Sequence, residues 1–288
     1  MADDVLFDKR ADGVALITLN RPDSLNAMGG QLMPLLAQYL GQCAHDTSVR
    51  CVVLTGAGRA FCAGGDVKAM QGGGVGANTA NGAPQETPAP PADGHHPSAF
   101  DRLDPSVGLL RESQMRTSYV LHTMGKPTIA AVNGHAVGAG LSLALACDLR
   151  IASDRAKFGT AFRNVALSGD FGGSYYMQRL VGMGKARELY FTGEIILADE
   201  ALRIGMVTRV VPYDDLMNEA MTWAAKLASG PTATMARTKE NLNLGEHSDL
   251  RTLMDQEAFY QRLTSLTNDH REAVKAFVEK REPKFAGN

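Results

Sequence analysis

Asn133-Gly134-His135-Ala136-Val137-Gly138-Ala139-Gly140-Leu141-Ser142 is the stretch that decides the fold. It follows a β-like run, Thr128-Ile129-Ala130-Ala131-Val132, and opens an apolar helix from Leu141 to Cys147. Strand, small-residue turn and buried helix leave bare backbone N–H groups at a helix N-terminus, and such donors suit a negative charge. Where the charge exists only during a reaction, the place is an oxyanion hole. A second stretch has the same character. Val52-Val53-Leu54-Thr55-Gly56 reads as a buried strand, and Phe61-Cys62-Ala63-Gly64-Gly65-Asp66-Val67-Lys68 follows it. Gly64-Gly65 lets another molecule approach the backbone closely. One glycine-rich turn is most simply a turn. Two, each after an apolar strand, make a more specific signal.

Outward from these stretches the pattern is layered. Val5-Leu6-Phe7 and Val14 to Leu19 flank an Ala11-Asp12-Gly13 turn, a hairpin signal. Leu32 to Cys43 has helical spacing, and Val49 to Thr55 is a strand. Strand and helix alternate again through Thr128–Val132, Leu141–Cys147 and Leu149–Ser153, which argues for an α/β core over residues 1–214. After about residue 215 the strand signals stop, and residues 215–288 read as helical: Leu216 to Ser229, Met235 to Leu242 and Leu250 to Val278. Residues 71–98 hold six Gly and five of the twelve Pro, a composition that cannot hold a packed core. A passive insertion is the expectation there; a lid over the substrate is the alternative. His95 and His96 within it read as a solvated pair, with no carboxylate or Cys at ligand spacing.

Composition excludes several classes. The 288 residues carry a net charge of −2, which gives no reason to expect nucleic acid or an anionic membrane as partner. No apolar run reaches transmembrane length, and the acidic start Met1-Ala2-Asp3-Asp4 lacks a signal-peptide pattern. Cys43, Cys51, Cys62 and Cys147 have no CxxC spacing and sit in apolar surroundings, so buried thiols in a reducing cytoplasm are expected, and no metal site. The glycines after Val132 are not spaced as GxGxxG, and neither a Walker lysine nor a GxSxG elbow is present.

Ala60-Phe61-Cys62-Ala63-Gly64-Gly65-Asp66 and the run Asn133 to Gly140 resemble the two signature segments of the crotonase superfamily, the enoyl-CoA hydratases and isomerases. Leu19-Asn20-Arg21-Pro22 with Leu25-Asn26-Ala27, Ala146 to Ala152, Gly172-Gly173 with Gln178 to Gly182, and Ala198 to Val211 fit as well. The resemblance covers nearly the whole chain apart from residues 71–110, which the family uses as a variable flap. It implies a crotonase-like spiral of ββα units, a C-terminal helical region that packs trimers, or dimers of trimers, and an acyl-CoA thioester as substrate. No cofactor is implied beyond the coenzyme A of the substrate.

By motif match the resemblance makes the N–H groups of Gly65 and Ala139 the oxyanion donors; losing one such donor costs about 3–4 kcal/mol of transition-state stabilisation. Hydratases of the family carry one glutamate three residues after the second donor and another shortly after the next Phe-Gly. Those positions hold Ser142 and Phe162 here. Serine needs a partner to act as a base at neutral pH, and phenylalanine cannot act at all. The acid at a recognised position is Asp170, in Leu167-Ser168-Gly169-Asp170-Phe171-Gly172-Gly173. An aspartate there resembles that of dienoyl-CoA and ring-1,2-epoxyphenylacetyl-CoA isomerases, and of 4-chlorobenzoyl-CoA dehalogenases. Asp170 also reads as an N-cap or first-turn acid of the helix holding Tyr175 to Leu180, and the two roles are compatible.

Coenzyme A is expected along Asp23-Ser24-Leu25-Asn26-Ala27 and along Ala63, Gly64, Asp66, Val67 and Lys68, with Gly138, Ser142 and Phe162 nearer the acyl group. Lys280, Arg281 and Lys284 are candidate phosphate contacts or simply a solvated charged end. Asp148 and His135 read as structural, the histidine as a satisfied core or turn residue; Arg163 is left between a carboxylate partner and solvent. Tyr175 and Tyr176 are candidates for the acyl pocket, one of them core. The leading expectation is an isomerase in which Asp170 moves a proton between acyl carbons. The rivals are a hydratase using Asp170 alone with water held by Ser142, and a weakly catalytic CoA-thioester-binding subunit.

Overall fold

The computed structural model describes residues 3–66 and 105–288. Val67, Lys68, His95, His96 and the whole stretch 71–98 lie outside the described residues. The hairpin forms as β1 (Val5–Lys9) and β2 (Val14–Leu19), antiparallel across the Gly13 turn. Helix α1 (Leu32–His45) follows, then β3 (Cys51–Gly56), β4 (Ala60–Cys62), α2 (Pro105–Arg116) and α3 (Ser118–Thr123). Next come β5 (Thr128–Val132), β6 (His135–Val137), α4 (Ala139–Ala146), β7 (Leu149–Ser153) and β8 (Lys157–Gly159). The chain continues through α5 (Gly173–Thr192), β9 (Ile196–Leu197), α6 (Ala198–Arg203), β10 (Arg209–Val211) and α7 (Leu216–Ala228). It closes with α8 (Thr232–Gly245), α9 (Leu250–Thr264) and α10 (Asn268–Glu279).

The strands make two sheets. The larger runs β1-β2-β3-β5-β7-β10, parallel from β2 onward. The smaller runs β4-β6-β8-β9, parallel except at β9. Each inner strand of the first sheet therefore feeds a strand of the second: β3 into β4, β5 into β6, β7 into β8. This is a spiral of ββα turns. β3 and β5 are buried at every residue, as parallel strands covered on both faces require. Their side chains alternate accordingly. Val52, Leu54 and Ala130 enter the core shared with α1 and α4, while Cys51, Val53 and Ile129 face α7. Helix α7 lays Leu216, Ala220, Ala224 and Ala228 on the sheet at a spacing of four, so small side chains let the helix approach closely. All four cysteines are buried.

Two sequence expectations need correction. The turn at Asn133 does not lead straight into the helix: His135–Val137 is a strand, wedged between β4 and β8, and the helix begins at Ala139 rather than Leu141. The expected helix from Leu250 to Val278 is two helices, because Thr267 leaves the helical conformation and its Oγ1 accepts a hydrogen bond from His270 N, capping α10. Buried cations satisfy helix ends elsewhere. Lys126 Nζ donates to the Cys43 and Asp46 carbonyls at the end of α1, and Arg150 donates to the Cys147 carbonyl at 2.5 Å after α4. Among the described residues no helix is long and apolar enough to cross a membrane.

Candidate active site

Because β4, β6 and β8 are parallel neighbours, their chains leave the small sheet side by side. β4 exits into Ala63-Gly64-Gly65, β6 into Gly138-Ala139, and β8 into Thr160-Ala161-Phe162. The first two exits touch. Gly64 has a φ of 88°, and a Cβ built on it would lie 2.7 Å from Val137 O and 3.4 Å from Ala139 N, so only glycine brings the loops this close. A Cβ on Gly140 would lie 2.2 Å from Cys62 O, which presses α4 directly onto the end of β4. Neither Gly65 N nor Ala139 N donates to a backbone carbonyl among the described residues. Ala139 opens α4, whose first N–H groups have no partner within the helix. Among the described residues both donors are left unclaimed by backbone carbonyls, one of them at a helix N-terminus.

A third segment is laced to the first exit. Ala63 N donates to Leu25 O at 3.0 Å and Met28 N to Gly64 O at 2.8 Å. Asn26, fully buried, donates from Nδ2 to Ala57 O and Ala60 O and accepts from Arg21 N through Oδ1. Leu25 and Asn26 both adopt positive φ, strain that these bonds hold in place. Arg21 donates to Ala27 O at 2.7 Å and lies 3.8 Å from both Asp4 and Asp66. The structure thus brings together Ser24, Leu25, Ala27, Ala63, Gly64, Gly65 and Asp66, with Ser24 exposed and Ala27 buried.

Asp170 sits on the loop that leads into α5. It is not the helix cap: Gly172 occupies that position, with no side-chain cap bond. The Asp170 carbonyl accepts from Gly173 N, while its carboxyl Oδ1 is buried with no hydrogen-bond partner among the described residues. Burial pushes the carboxyl up to about 6. Ser142 and Phe162 lie around the same loop. A Cβ on Gly173 would lie 2.3 Å from Ser142 Oγ, and the Phe162 ring stands 3.6 Å from the corresponding point on Gly169. Phe162 also approaches Gly138, at 3.9 Å from its Cβ position. Ala161, Ala166 and Phe171 take positive φ around this loop, a concentration of strain typical of functional sites.

The remaining candidates separate. Asp148 is structural: Oδ2 accepts from Thr128 N, Thr128 Oγ1 and Lys239 Nζ at 2.8–3.0 Å. His135, expected to be satisfied, has Nδ1 buried without a partner among the described residues. Arg163 is exposed and reaches Thr192 O. Arg281 is held by Glu272 and Glu279, and the following chain docks by Ala286 N and Gly287 N on Asp269. Phe285 O receives Arg50, which stands before the first residue of β3, at the sheet end away from the loops. Tyr176 is buried and donates to Ser118 O, whereas the Tyr175 hydroxyl donates to Glu246. Both tyrosines line a cavity of about 560 Å³ between α3, α5, α8 and α9, with His122 and Gly172 also in its wall.

Sequence reasoning missed Tyr190, at the far end of α5. A straight helix would carry it about 25 Å from Gly173. The helix is broken at Gly182, with φ 79° and ψ 157°, and its second half folds back. Tyr190 stacks on Phe162 with ring centroids 6.2 Å apart, and its hydroxyl lies 2.7 Å from the Gly173 Cβ position.

Comparison with known proteins identifies the family and the fold. The sequence model of the enoyl-CoA hydratase/isomerase family matches residues 9–87 and 107–288. The chain is 36% identical over 280 residues to the short-chain-enoyl-CoA hydratase of Clostridium acetobutylicum, covering 96% of this chain and 95% of that protein. It is 38% identical over 275 residues to the 1,2-epoxyphenylacetyl-CoA isomerase of Escherichia coli, covering 96% and 95% respectively. The crystal structure of an enoyl-CoA hydratase from Bacillus anthracis matches with a TM-score of 0.83 at 32% identity, over 99% of this chain and 100% of that one.

Proposed function

The chain belongs to the enoyl-CoA hydratase/isomerase family, and from that premise we propose that it moves a double bond along the acyl group of a coenzyme A thioester. The observation that carries this reading is Asp170: a carboxyl pushed up to about 6 by burial, on the loop whose Gly169 and Gly173 meet Phe162 and Ser142, the residues that by motif match take the positions of the two hydratase glutamates. The thioester oxygen would accept the N–H groups of Gly65 and Ala139. Asp170, ionised at neutral pH, would remove a proton from the carbon beside the thioester carbonyl. The electron pair then delocalises onto the thioester oxygen and along the conjugated chain. The carboxylic acid returns the same proton to the far end of that system, so the double bond shifts and Asp170 is regenerated. A group near 6 suits both halves of the exchange, since it is ionised before the reaction and acidic enough to give the proton back.

No metal or redox partner enters this proton balance, and coenzyme A participates only as part of the substrate. It would run along Ser24, Leu25 and Ala27 on one side and Ala63, Gly64 and Asp66 on the other, with Val67 and Lys68 continuing that strip in sequence. Gly138, Ser142 and Phe162 would bound the acyl group. A cytoplasmic enzyme working as a trimer or a dimer of trimers fits this reading.

The test follows a 3-enoyl-CoA and a 2-enoyl-CoA separately. The 3-enoyl thioester should be converted to the conjugated isomer, and Asp170→Asn should remove most of kcat with little change in thioester binding. Water addition to the 2-enoyl thioester should be slow. Hydration with a kcat on the order of 10 per second or more would overturn the isomerase reading in favour of a hydratase that uses Asp170 alone.

A further inference from the structure

Arg21 has no part in the reaction outlined above, yet its side chain joins both strands of the first loop exit. Its backbone is fixed first. Arg21 N donates to Asn26 Oδ1 at 2.8 Å, and Arg21 O accepts from Asn26 N at 2.9 Å and from Ser24 N at 3.0 Å. The guanidinium then reaches forward. Nη1 donates to Ala27 O at 2.7 Å, Nη2 lies 3.8 Å from Asp66 Oδ2, and Nε lies 3.8 Å from Asp4 Oδ2. Ala27 precedes Met28, and Asp66 follows Gly65. Met28 and Gly65 are themselves paired in an isolated parallel bridge, with Met28 N donating to Gly64 O at 2.8 Å. In parallel pairing, the residue opposite the bonding one turns its own N–H and C=O to the other side. The bridge therefore points Gly65 N–H away from Met28, and Gly65 N donates to no backbone carbonyl among the described residues. A single bridge is too short to hold its own geometry.

We propose that Arg21 is a positioning residue for the first oxyanion donor: by tying Ala27 O to the Asp66 carboxylate it locks the Met28–Gly65 bridge, and so fixes where Gly65 N–H points. This rests on the reading of Gly65 as a donor to the thioester oxygen. A planar guanidinium suits the task, because its rigid fork meets acceptors on several sides at once, which the point charge of a lysine does not. The gap it fills is cut to size. A Cβ on Gly29 would lie 2.7 Å from Arg21 Nη1 and 3.0 Å from Asp66 Oδ2, so glycine leaves the room in which the two groups meet. Asp4 anchors the outer side: its Oδ2 also accepts from Gln31 N at 2.7 Å, at the start of α1. With carboxylates on two sides and its side chain only 20% exposed, Arg21 is committed to the loop and is not open to a coenzyme A phosphate.

The experiment reads the bound carbonyl directly. Butyryl-CoA, a saturated thioester isotope-labelled at the carbonyl carbon, is bound to saturation by the full-length chain, and its C=O stretch is followed by difference infrared spectroscopy. Two N–H donors on the oxygen should lower the stretch in wild type relative to the free thioester. Arg21→Met keeps the stem and loses the fork. About half of the lowering should then disappear, because one of the two donors has moved, and kcat on the 3-enoyl thioester should fall about tenfold. Gly29→Ala keeps the test open should that variant fail to fold. The nearest neighbours of its methyl group are the side-chain ends of Arg21 and Asp66, which can yield without disturbing the fold, and it should shift the stretch in the same direction. A lowering retained in full by folded Arg21→Met, or by Gly29→Ala where the first does not fold, overturns the proposal: an arginine that only stabilised the fold would leave the bound carbonyl unmoved. No lowering in wild type would overturn the reading of Gly65 and Ala139 as oxyanion donors, and the proposal with it.

Discussion

Ionising Asp170 in its buried position works against the fold. In the folded chain the carboxyl releases its proton near 6, against an ordinary value of 3.8. Between those values the folded state keeps a proton that the unfolded state has lost. The contribution to stability is therefore full below pH 3.8, declines as pH rises to 6, and stays lost above it, by on the order of 3 kcal/mol. Asp170→Asn removes this dependence. The variant should melt higher than wild type at pH 8, and the advantage should vanish near pH 3.5; thermal unfolding at the two pH values checks it. A variant that melts lower than wild type at pH 8 would show that the carboxylate is stabilised by groups not seen around it. The same titration should give kcat/KM an acid limb near pH 6 in wild type.

At the scale of elements, the site is a set of strand exits held at fixed spacing. Gly140→Ala would place a methyl group against the Cys62 carbonyl, and backbone cannot yield as a side-chain tip can. Helix α4 must slide away from β4, taking Ala139 N–H with it. Overpacking of this kind costs about 1–3 kcal/mol of stability. The larger effect should be on turnover, a loss of about a hundredfold in kcat, as for a displaced oxyanion donor. Assays of a folded Gly140→Ala protein with kcat near wild type would refute the assignment of Ala139. Much of this architecture is legible in the sequence. The hairpin, β3, β5, β7 and the helices at Leu32 and Leu216 follow from runs long enough to show a period. β6, β8 and β9 do not, because two or three residues carry no periodicity and their identity comes from neighbours distant in the chain. Asp170 stands out because an acid at that position is visible in one dimension. Tyr190 does not, because the break at Gly182 brings it back from seventeen residues beyond Gly173. The cap expected of Asp170 fails for a related reason: a glycine with positive φ, Gly172, turns the chain at that point.

For the whole molecule, the helical end of the chain is continuous with the core. Lys239 on α8 donates to Asp148 and to the carbonyls of Leu121 and Lys126. Beyond that anchor the surface is apolar where water would be expected: Met254, Phe259, Leu263 and Leu266 on and after α9, and Phe277 and Val278 on α10, are exposed. Phe277 is 86% exposed. Exposed apolar side chains in this number call for a covering surface. The protein should therefore scatter light as a trimer or hexamer, and a stable monomer at micromolar concentration would refute the assembly proposed above.

The four cysteines also make the molecule its own reporter. Burial pushes Cys43 up to about 11 and Cys51, Cys62 and Cys147 up to about 12, so none offers a thiolate to reagents while the fold is closed. Alkylation at pH 8 can then proceed only through openings of the structure, and each thiol times a different layer. Cys62 ends the three-residue β4 beside the loop exits; Cys51 begins the six-residue β3 beneath α7. Mass spectrometry of the alkylated chain should find Cys62 tagged well before Cys51, which would make the layer of loop exits the first to breathe and the main sheet the last. The reverse order would mean that α7 lifts from the sheet before the loops part.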